Sequence, residues 1–472
     1  MSAAPVLPRD RLESLSGFGM VFASDGYHFR PSTVDQVRDI LLLAQRTGRR
    51  IVQRGSGNSY GDANIGAECI ILDCSRMDRI LAWDPASGVI EIEAGATIER
   101  LWRHCMEDGY WPPVVSGTMF PTVGGALAMN IHGKNNFHTG PIGEHVLELR
   151  IMDGSGNVRT LGPSDELFYS VIGSAGLLGV ILGAKLQMRR IASGSLKVLE
   201  LTNPDLHDHF VQFERYEKEA DYMVSWVDCF AKGPRLGRGQ MHVGWYQGSP
   251  DPASLMPAAQ DLPDTILGFF PKAVVWRILR AFNNRSGMRL INWAKYSASA
   301  VLHDGNSVIQ GLVAFSFLLD YVPNWRKAYA PGGFIQYQSF VPKEQAEQVF
   351  RRQLEMQQDA RLESFLGVLK RHRPDKFLLS HSVDGYSFAL DIKVTRESWP
   401  RIQNLAHVMN DITLRAGGRF YLAKDCTLRP ADVRGYLGEA ALNTFWRHRA
   451  EVDPGRLFTS QLAQRLQLDE MG

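Results

Sequence analysis

The alternation of apolar and polar positions divides the 472-residue chain into three textures. From about 30 to 190, short alternating runs take turns with helical ones and glycine is dense. Val34–Thr47 carries its apolar residues at helical spacing behind Thr33, a residue type suited to the N-cap. Residues 50–53 predict a strand running into a glycine loop, and Ile70–Asp73 and Val89–Glu93 predict two more. Residues 97–108 predict a helix closed by Gly109. Residues 147–152 and Val158–Leu161, on either side of Asp153-Gly-Ser-Gly-Asn, predict a hairpin. From about 195 to 410 the alternations at 222–228, 239–245, 334–340 and 387–394 predict strands of one antiparallel sheet. Helical patterns at 342–359 and 399–416 fall between and after them. The tail, 418–472, returns to helix and loop. The fold class that follows is α+β, in at least two lobes.

Composition narrows the function classes. With 44% hydrophobic and 22% charged residues the chain can bury a sizeable core and has no disordered character. Fifty-two Lys and Arg against 50 Asp and Glu give a net charge of +2, which predicts neither a nucleic-acid groove nor a polybasic tail. Five cysteines without a C-x-x-C spacing predict neither a disulfide framework nor a zinc site, and no metal is expected. Met1-Ser-Ala-Ala-Pro does not open a signal peptide, and no run of apolar residues is long enough to span a bilayer. The expected location is cytoplasmic.

Three glycine-rich segments carry the candidate chemistry. Arg54-Gly-Ser-Gly-Asn-Ser-Tyr-Gly-Asp62 follows a strand. Its glycines permit close backbone approach, so successive N–H groups could wrap a pyrophosphate. The spacing misses the dinucleotide fingerprint and no Walker lysine follows, so a plain strand-to-loop turn explains the fragment equally well. In the second segment Gly124 and Gly125 open a small-residue helix whose N-terminus favours an anion, and the chain then delivers His132 and Lys134 from a turn. The third, Gly173-Ser-Ala-Gly176-Leu-Leu-Gly179-Val180-Ile181, runs from a helix end into a strand.

Together these segments resemble the FAD-binding domain of the vanillyl-alcohol-oxidase (para-cresol methylhydroxylase, PCMH-type) flavoproteins. Within that superfamily the chain is most similar to the oxidase subunits of decaprenylphosphoryl-β-D-ribose 2′-epimerases. The matching runs are RGSGNSYGD (54–62), TVGGALAMNIHGKNNFHTG (122–140), ELFYSVIGSAGLLGVI (166–181), GFIQYQSFVP (333–342), FLGVLK (365–370), GGRFYLAKD (417–425) and VDPGRLFTSQLAQRL (452–466). The resemblance implies a two-lobed architecture. Residues 1–194 and 413–472 would form the FAD-binding domain, and 195–412 an inserted substrate domain on an antiparallel sheet. It also implies non-covalent FAD, because Asn58 stands where covalent members place a histidine. Arg54, Gly55, Ser56, Gly57, Asn58, Ser59, Tyr60, Gly61, Asp62 and Asn64 would wrap the pyrophosphate. Gly117, Thr118, Thr122, Val123, Gly124, Gly125, Met129, Asn130, Ile131 and His132 would line the isoalloxazine and ribityl. Ile181 would touch the adenine side and Tyr421 would lie beside the flavin. Lys424 would sit by flavin N1 and the C2 carbonyl, where a fixed positive charge stabilises the reduced form.

The implied reaction is oxidation of a secondary alcohol, with hydride passing to flavin N5 and a base taking the hydroxyl proton. His132 is the natural base by residue type and Lys424 the alternative if its pKa is depressed beside the flavin. Tyr60, Lys134, Gln336, Gln338 and Lys370 would hold a sugar and its phosphate. The chain departs from the family after Gly385: Ser387 and Ala389 replace an Asn and a Cys, which alters the pocket more than the reaction type. The expected substrate is the 2′-hydroxyl of a polyprenylphosphoryl ribose, oxidised to a keto sugar as the first half of epimerisation to the arabino form. Quinone or dioxygen would accept the electrons, and a separate NAD(P)H-dependent reductase would consume the product. An aldonolactone or alditol oxidase acting on a soluble sugar is the alternative, although the His-Trp-x-Lys motif of such enzymes is here Phe420-Tyr421-Leu422-Ala423-Lys424. A flavin-binding protein without turnover is a third reading. The stretch 265–282, with Lys272, Arg277 and Arg280 among apolar residues, fits either a core helix with a basic edge or peripheral contact with the inner face of a membrane.

Overall fold

The computed structural model describes residues 7–266 and 270–469. The N-terminal third builds two sheets. In the first, Leu12–Ser16, Ala23–Phe29, Ile70–Asp73 and Ile51–Arg54 lie in that order, the last three mutually parallel. Val34–Thr47 is the crossover helix that parallel strands require. Thr33 caps it by accepting from Gln36 N, and Gly48 ends it in the left-handed region at φ 66°. The second sheet is antiparallel, in the order Ile80–Asp84, Val89–Glu93, Val180–Gln187, Val146–Met152 and Val158–Leu161. Its 152–158 turn is closed by Asp153, whose Oδ1 accepts from the N–H groups of Ser155 and Asn157. One helix is shorter than its pattern: it runs Ile98–Cys105, and Met106–Asp108 form a turn before Gly109 at φ 78°.

The larger sheet has eight strands, ordered Ser307–Gly311, Ser195–Asn203, Gly239–Tyr246, Tyr222–Val227, Gly367–His372, Gly385–Val394, Gly333–Pro342 and Arg419–Phe420. All four alternations read from the middle of the chain are strands of this one antiparallel sheet. The helices Leu206–Tyr216, Lys343–Asp359 and Trp399–Arg415 bury their apolar stripes on it through Phe213, Phe350 and Met409.

The C-terminal tail serves both regions. Arg419–Phe420 pairs with Ser339 and Phe340 at the edge of the eight-stranded sheet. Further on, Phe458 bridges Ile51 in the first sheet. Arg465 binds Asp62 at 2.8 and 2.9 Å and Asp425 at 2.9 Å, a half-buried clamp between the tail and the first glycine loop. Part of the stretch 265–282 (267–269) lies outside the described residues; Lys272–Phe282 is a helix, and a second one, Arg285–Leu302, follows it.

Candidate active site

Between the N-terminal sheets and one face of the eight-stranded sheet lies a cavity of about 540 Å³. Its first wall is the loop after the strand Ile51–Arg54, from Arg54 through Tyr60. The N–H groups of Ser56, Gly57, Asn58 and Ser59 have no acceptor among the described residues. Four successive unpaired donors facing a cavity are the chemistry that a pyrophosphate satisfies. Arg54 holds the loop from beneath, donating to Asn64 Oδ1 at 2.8 Å and to Ser16 O at 3.1 Å. A β-carbon on Gly55 would stand 2.2 Å from Thr122 Oγ1, so only glycine lets this loop meet the second segment. There Thr122 caps the short helix Val123–Ala128 by accepting from Gly125 N. Gly117, Thr118, Gly124, Gly125, Met129, Ile131 and His132 continue the wall, and Ile181 lies at its far end with Ala175 and Gly176. A cavity with a donor-rich turn for the pyrophosphate and small residues along its wall fits FAD.

The second wall comes from the sheet, whose side chains alternate between faces. Gln336 and Gln338 on one strand, Ser387, Ala389 and Asp391 on the next, and Val368 and Lys370 beyond share one face because they sit at register positions two apart. Val224, Trp226, Gln240 and His242 extend that face. Across it runs a buried hydrogen-bond chain whose directions agree under one proton assignment, while His132 Nδ1 and Asn136 Nδ2 meet no partner among the described residues. Gln338 Nε2 donates to His132 Nε2 at 3.4 Å and to Ser387 Oγ at 3.2 Å. Ser387 donates to His372 Nε2 at 2.8 Å, and His372 Nδ1 donates to Asn136 Oδ1 at 3.0 Å. Gln336 donates to Asp391 Oδ1 at 2.5 Å.

Electrostatics separate the two candidate bases. Burial, reinforced by Lys370, His372, His381 and Lys424, holds His132 well below the usual imidazole range, so it is neutral. Its ring is enclosed by His372, His381, Phe340 and Tyr421 at centroid distances of 4.9 to 5.5 Å. Lys424 lies 3.5 Å above the Tyr60 ring centroid. Burial pulls its ammonium down against the partial opposition of Asp391, whose own carboxyl burial raises. Lys370 is likewise lowered by burial, to about 8.

Most of the residues singled out in the sequence therefore line one cavity. Four do not. Val123 is core, and Asn130 accepts from Gly143 N at 3.0 Å. Asp62 is committed to Arg465, and Gly61 packs against Asp425 O, where a β-carbon would approach to 2.1 Å. Lys134 reaches the cavity, but its ammonium donates to the Phe315 carbonyl and lies over that ring. The sequence reading missed Asp391, His372, His381, Asn136, Trp226 and Lys295. Asp391 carried a signal, since it follows Ala389 at the same two-residue period.

Residues 27–162 match the family model described as FAD binding domain. The decaprenylphosphoryl-β-D-ribose oxidase of Mycolicibacterium smegmatis is 29% identical over 443 residues, covering 92% of each chain. An uncharacterized protein of Streptomyces coelicolor is 28% identical over 79% of this chain and 100% of its own. The D-arabinono-1,4-lactone oxidase of Candida glabrata is 25% identical over 36% of this chain and 33% of its own.

Proposed function

We propose that this chain, an FAD-dependent oxidoreductase whose residues 27–162 form a PCMH-type FAD-binding domain, oxidises the 2′-hydroxyl of a polyprenylphosphoryl ribose to the keto sugar. The observation that carries the substrate is the extent of likeness. Similarity to the ribose oxidase runs through 92% of the chain, substrate-binding sheet included, whereas similarity to the lactone oxidase stops at 36%. The cavity supports it, because Lys370 brings an ammonium group to the sheet wall, where a phosphate needs counter-charge.

Bound FAD supplies the acceptor for the hydride that leaves the carbinol carbon. The protein's own task is to hold the sugar and take the hydroxyl proton. A general base works best with a pKa near the working pH. That favours Lys424, neutralised in part by burial, over His132, whose imidazole is depressed too far to retain a proton. His132, fixed through Nε2 by Gln338, then orients the hydroxyl. Lys370 and Gln336 position the sugar and its phosphate. The aromatic and apolar walls, Phe18, Leu319 and Tyr421 among them, exclude water. The keto sugar would pass to a separate NAD(P)H-dependent reductase, and quinone or dioxygen would reoxidise the enzyme.

The test is anaerobic titration of the yellow holoprotein. Bleaching of the visible flavin absorbance by polyprenylphosphoryl ribose, and not by free ribose, is the expected result. Bleaching by an aldonolactone or alditol alone would replace this substrate with a soluble sugar. Bleaching by none of them would overturn the sugar-oxidase reading.

A further inference from the structure

The helices Lys272–Phe282 and Arg285–Leu302 touch the active-site cavity through Lys295 alone among their described side chains, and the rest of their surface has no part in it. Between Asp264 and Asp304 there is no Asp or Glu, while Lys272, Arg277, Arg280, Arg285, Arg289 and Lys295 all fall there. In a chain with nearly balanced charge, this is a strong local asymmetry.

Apolar side chains share the same surface. On the second helix Met288, Asn292, Lys295 and Ser299 recur at helical spacing toward the eight-stranded sheet, and Lys295 lies over Trp226 and reaches the cavity. The opposite stripe, Leu290, Trp293 and Val301, faces out, with Trp293 55% and Val301 81% exposed. Ile278 and Phe282 on the first helix and Leu302 at the end of the second are exposed as well. A solvated helix does not ordinarily turn its large apolar residues outward, and exposed apolar residues ringed by one sign of charge mark an interaction surface.

The basic residues are available. Arg285 is committed to Glu363, but Arg277, Arg280 and Arg289 make no ion pair among the described residues. Beside Trp293 and Leu290, Lys232, Arg235 and Arg289 surround a groove of about 410 Å³. Its carboxylate, Asp228, is spent on Arg238 at 3.0 Å. The first helix starts beside the active-site mouth. Leu318 and Tyr321 line the main cavity while remaining partly exposed, and Lys272 sits 3.5 Å above the Tyr321 ring centroid.

We propose that this two-helix face docks on an anionic phospholipid bilayer. Leu290, Trp293 and Val301 would enter the headgroup–acyl boundary, and Arg277, Arg280 and Arg289 would pair with lipid phosphates. An apolar stripe, a basic rim whose nearby carboxylates Asp228 and Glu363 are paired, and a cavity mouth beside them are the combination an interfacial helix needs. This attachment does not depend on the identity of the sugar.

The experiment uses the full-length flavoprotein, without sugar substrate, in co-sedimentation with two kinds of vesicle. One is phosphatidylcholine alone, the other equal parts phosphatidylcholine and phosphatidylglycerol. The expected result is binding to the second kind, weakened by salt. It should be at least about tenfold weaker in the Arg277→Glu/Arg280→Glu/Arg289→Glu variant, because each basic residue near an anionic surface contributes separately. The Trp293→Ser/Val301→Ser variant tests the apolar half and should also lose binding, with an unchanged flavin spectrum showing that it is folded. Absence of binding to either vesicle would overturn the proposal, as would equal binding by wild type and the charge-reversed variant. A dimer that these substitutions dissociate in the absence of lipid would overturn it in favour of a second copy of the chain.

Discussion

Lys424 and Asp391 show how much a single environment decides. Each would be fully charged in water, and burial moves each toward its neutral form. The roles of charge and of base on Lys424 can be separated by Lys424→Arg, which keeps the positive charge but cannot release its proton. Turnover should fall by about a hundredfold or more, as expected for a lost general base. FAD content, read from the visible spectrum, should persist; unchanged turnover would remove Lys424 from the base role. In the wild type, turnover should rise with pH as the depressed ammonium deprotonates. Asp391→Asn removes the carboxylate that partly sustains the charged form, so the rising limb should move to lower pH. A limb that stays in place would show that Asp391 does not act on Lys424. His132 illustrates what residue type alone cannot say. An isolated histidine has the right pKa for a base, but the four cations or imidazoles around it and its complete burial are set by segments far away in sequence.

At the scale of elements, what the sequence made legible was what is locally determined. The helix Val34–Thr47, its Thr33 cap and its glycine end all follow from neighbouring residues. The strands of the larger sheet were visible because period-two alternation survives whatever the partner is. The partners were not visible. That Gln338 meets Ser387 and His372 meets Asn136 depends on register and on contact between sheets, and no spacing along the chain encodes either. The helix ending at Cys105 is a smaller instance: its apolar pattern continues to 106, but the turn packing Met106 into the core stops it. His209 gives an element-level prediction. It joins the helix Leu206–Tyr216 to the sheet through Ser225, Asn203 and Gly237, and burial depresses it to about 4. A base depressed in the folded state contributes stability that is complete above its unfolded value of 6.5 and is lost as pH falls toward 4. The loss should reach about 3 kcal/mol. Thermal unfolding at pH 7 and pH 5 checks this, since His209→Gln should flatten the difference.

At the scale of the whole molecule, the glycine loop, the sheet wall and the tail depend on one another. Arg465 is where the dependence is concentrated, its guanidinium facing two buried carboxylates, Asp62 and Asp425. Removing it with Arg465→Ala leaves Asp62 unpaired and Asp425 with only the N–H groups of Thr427 and Leu428, which should cost about 3–5 kcal/mol in denaturant unfolding. FAD retention should weaken with it, because Asp62 anchors the end of the loop. A variant as stable as the wild type would show that the tail is held by its apolar contacts alone.

The route of the tail also fixes when the enzyme can mature. Tyr421 and Lys424 stand in the cavity, and Phe458 and Arg465 secure the first glycine loop, so the slot is bounded by residues near both ends of the chain. A ribosome must make and release the chain as far as Arg465 before that slot is complete. Flavin loading therefore follows translation, and any message truncated late in its reading frame yields a colourless product however well its first two sheets have formed.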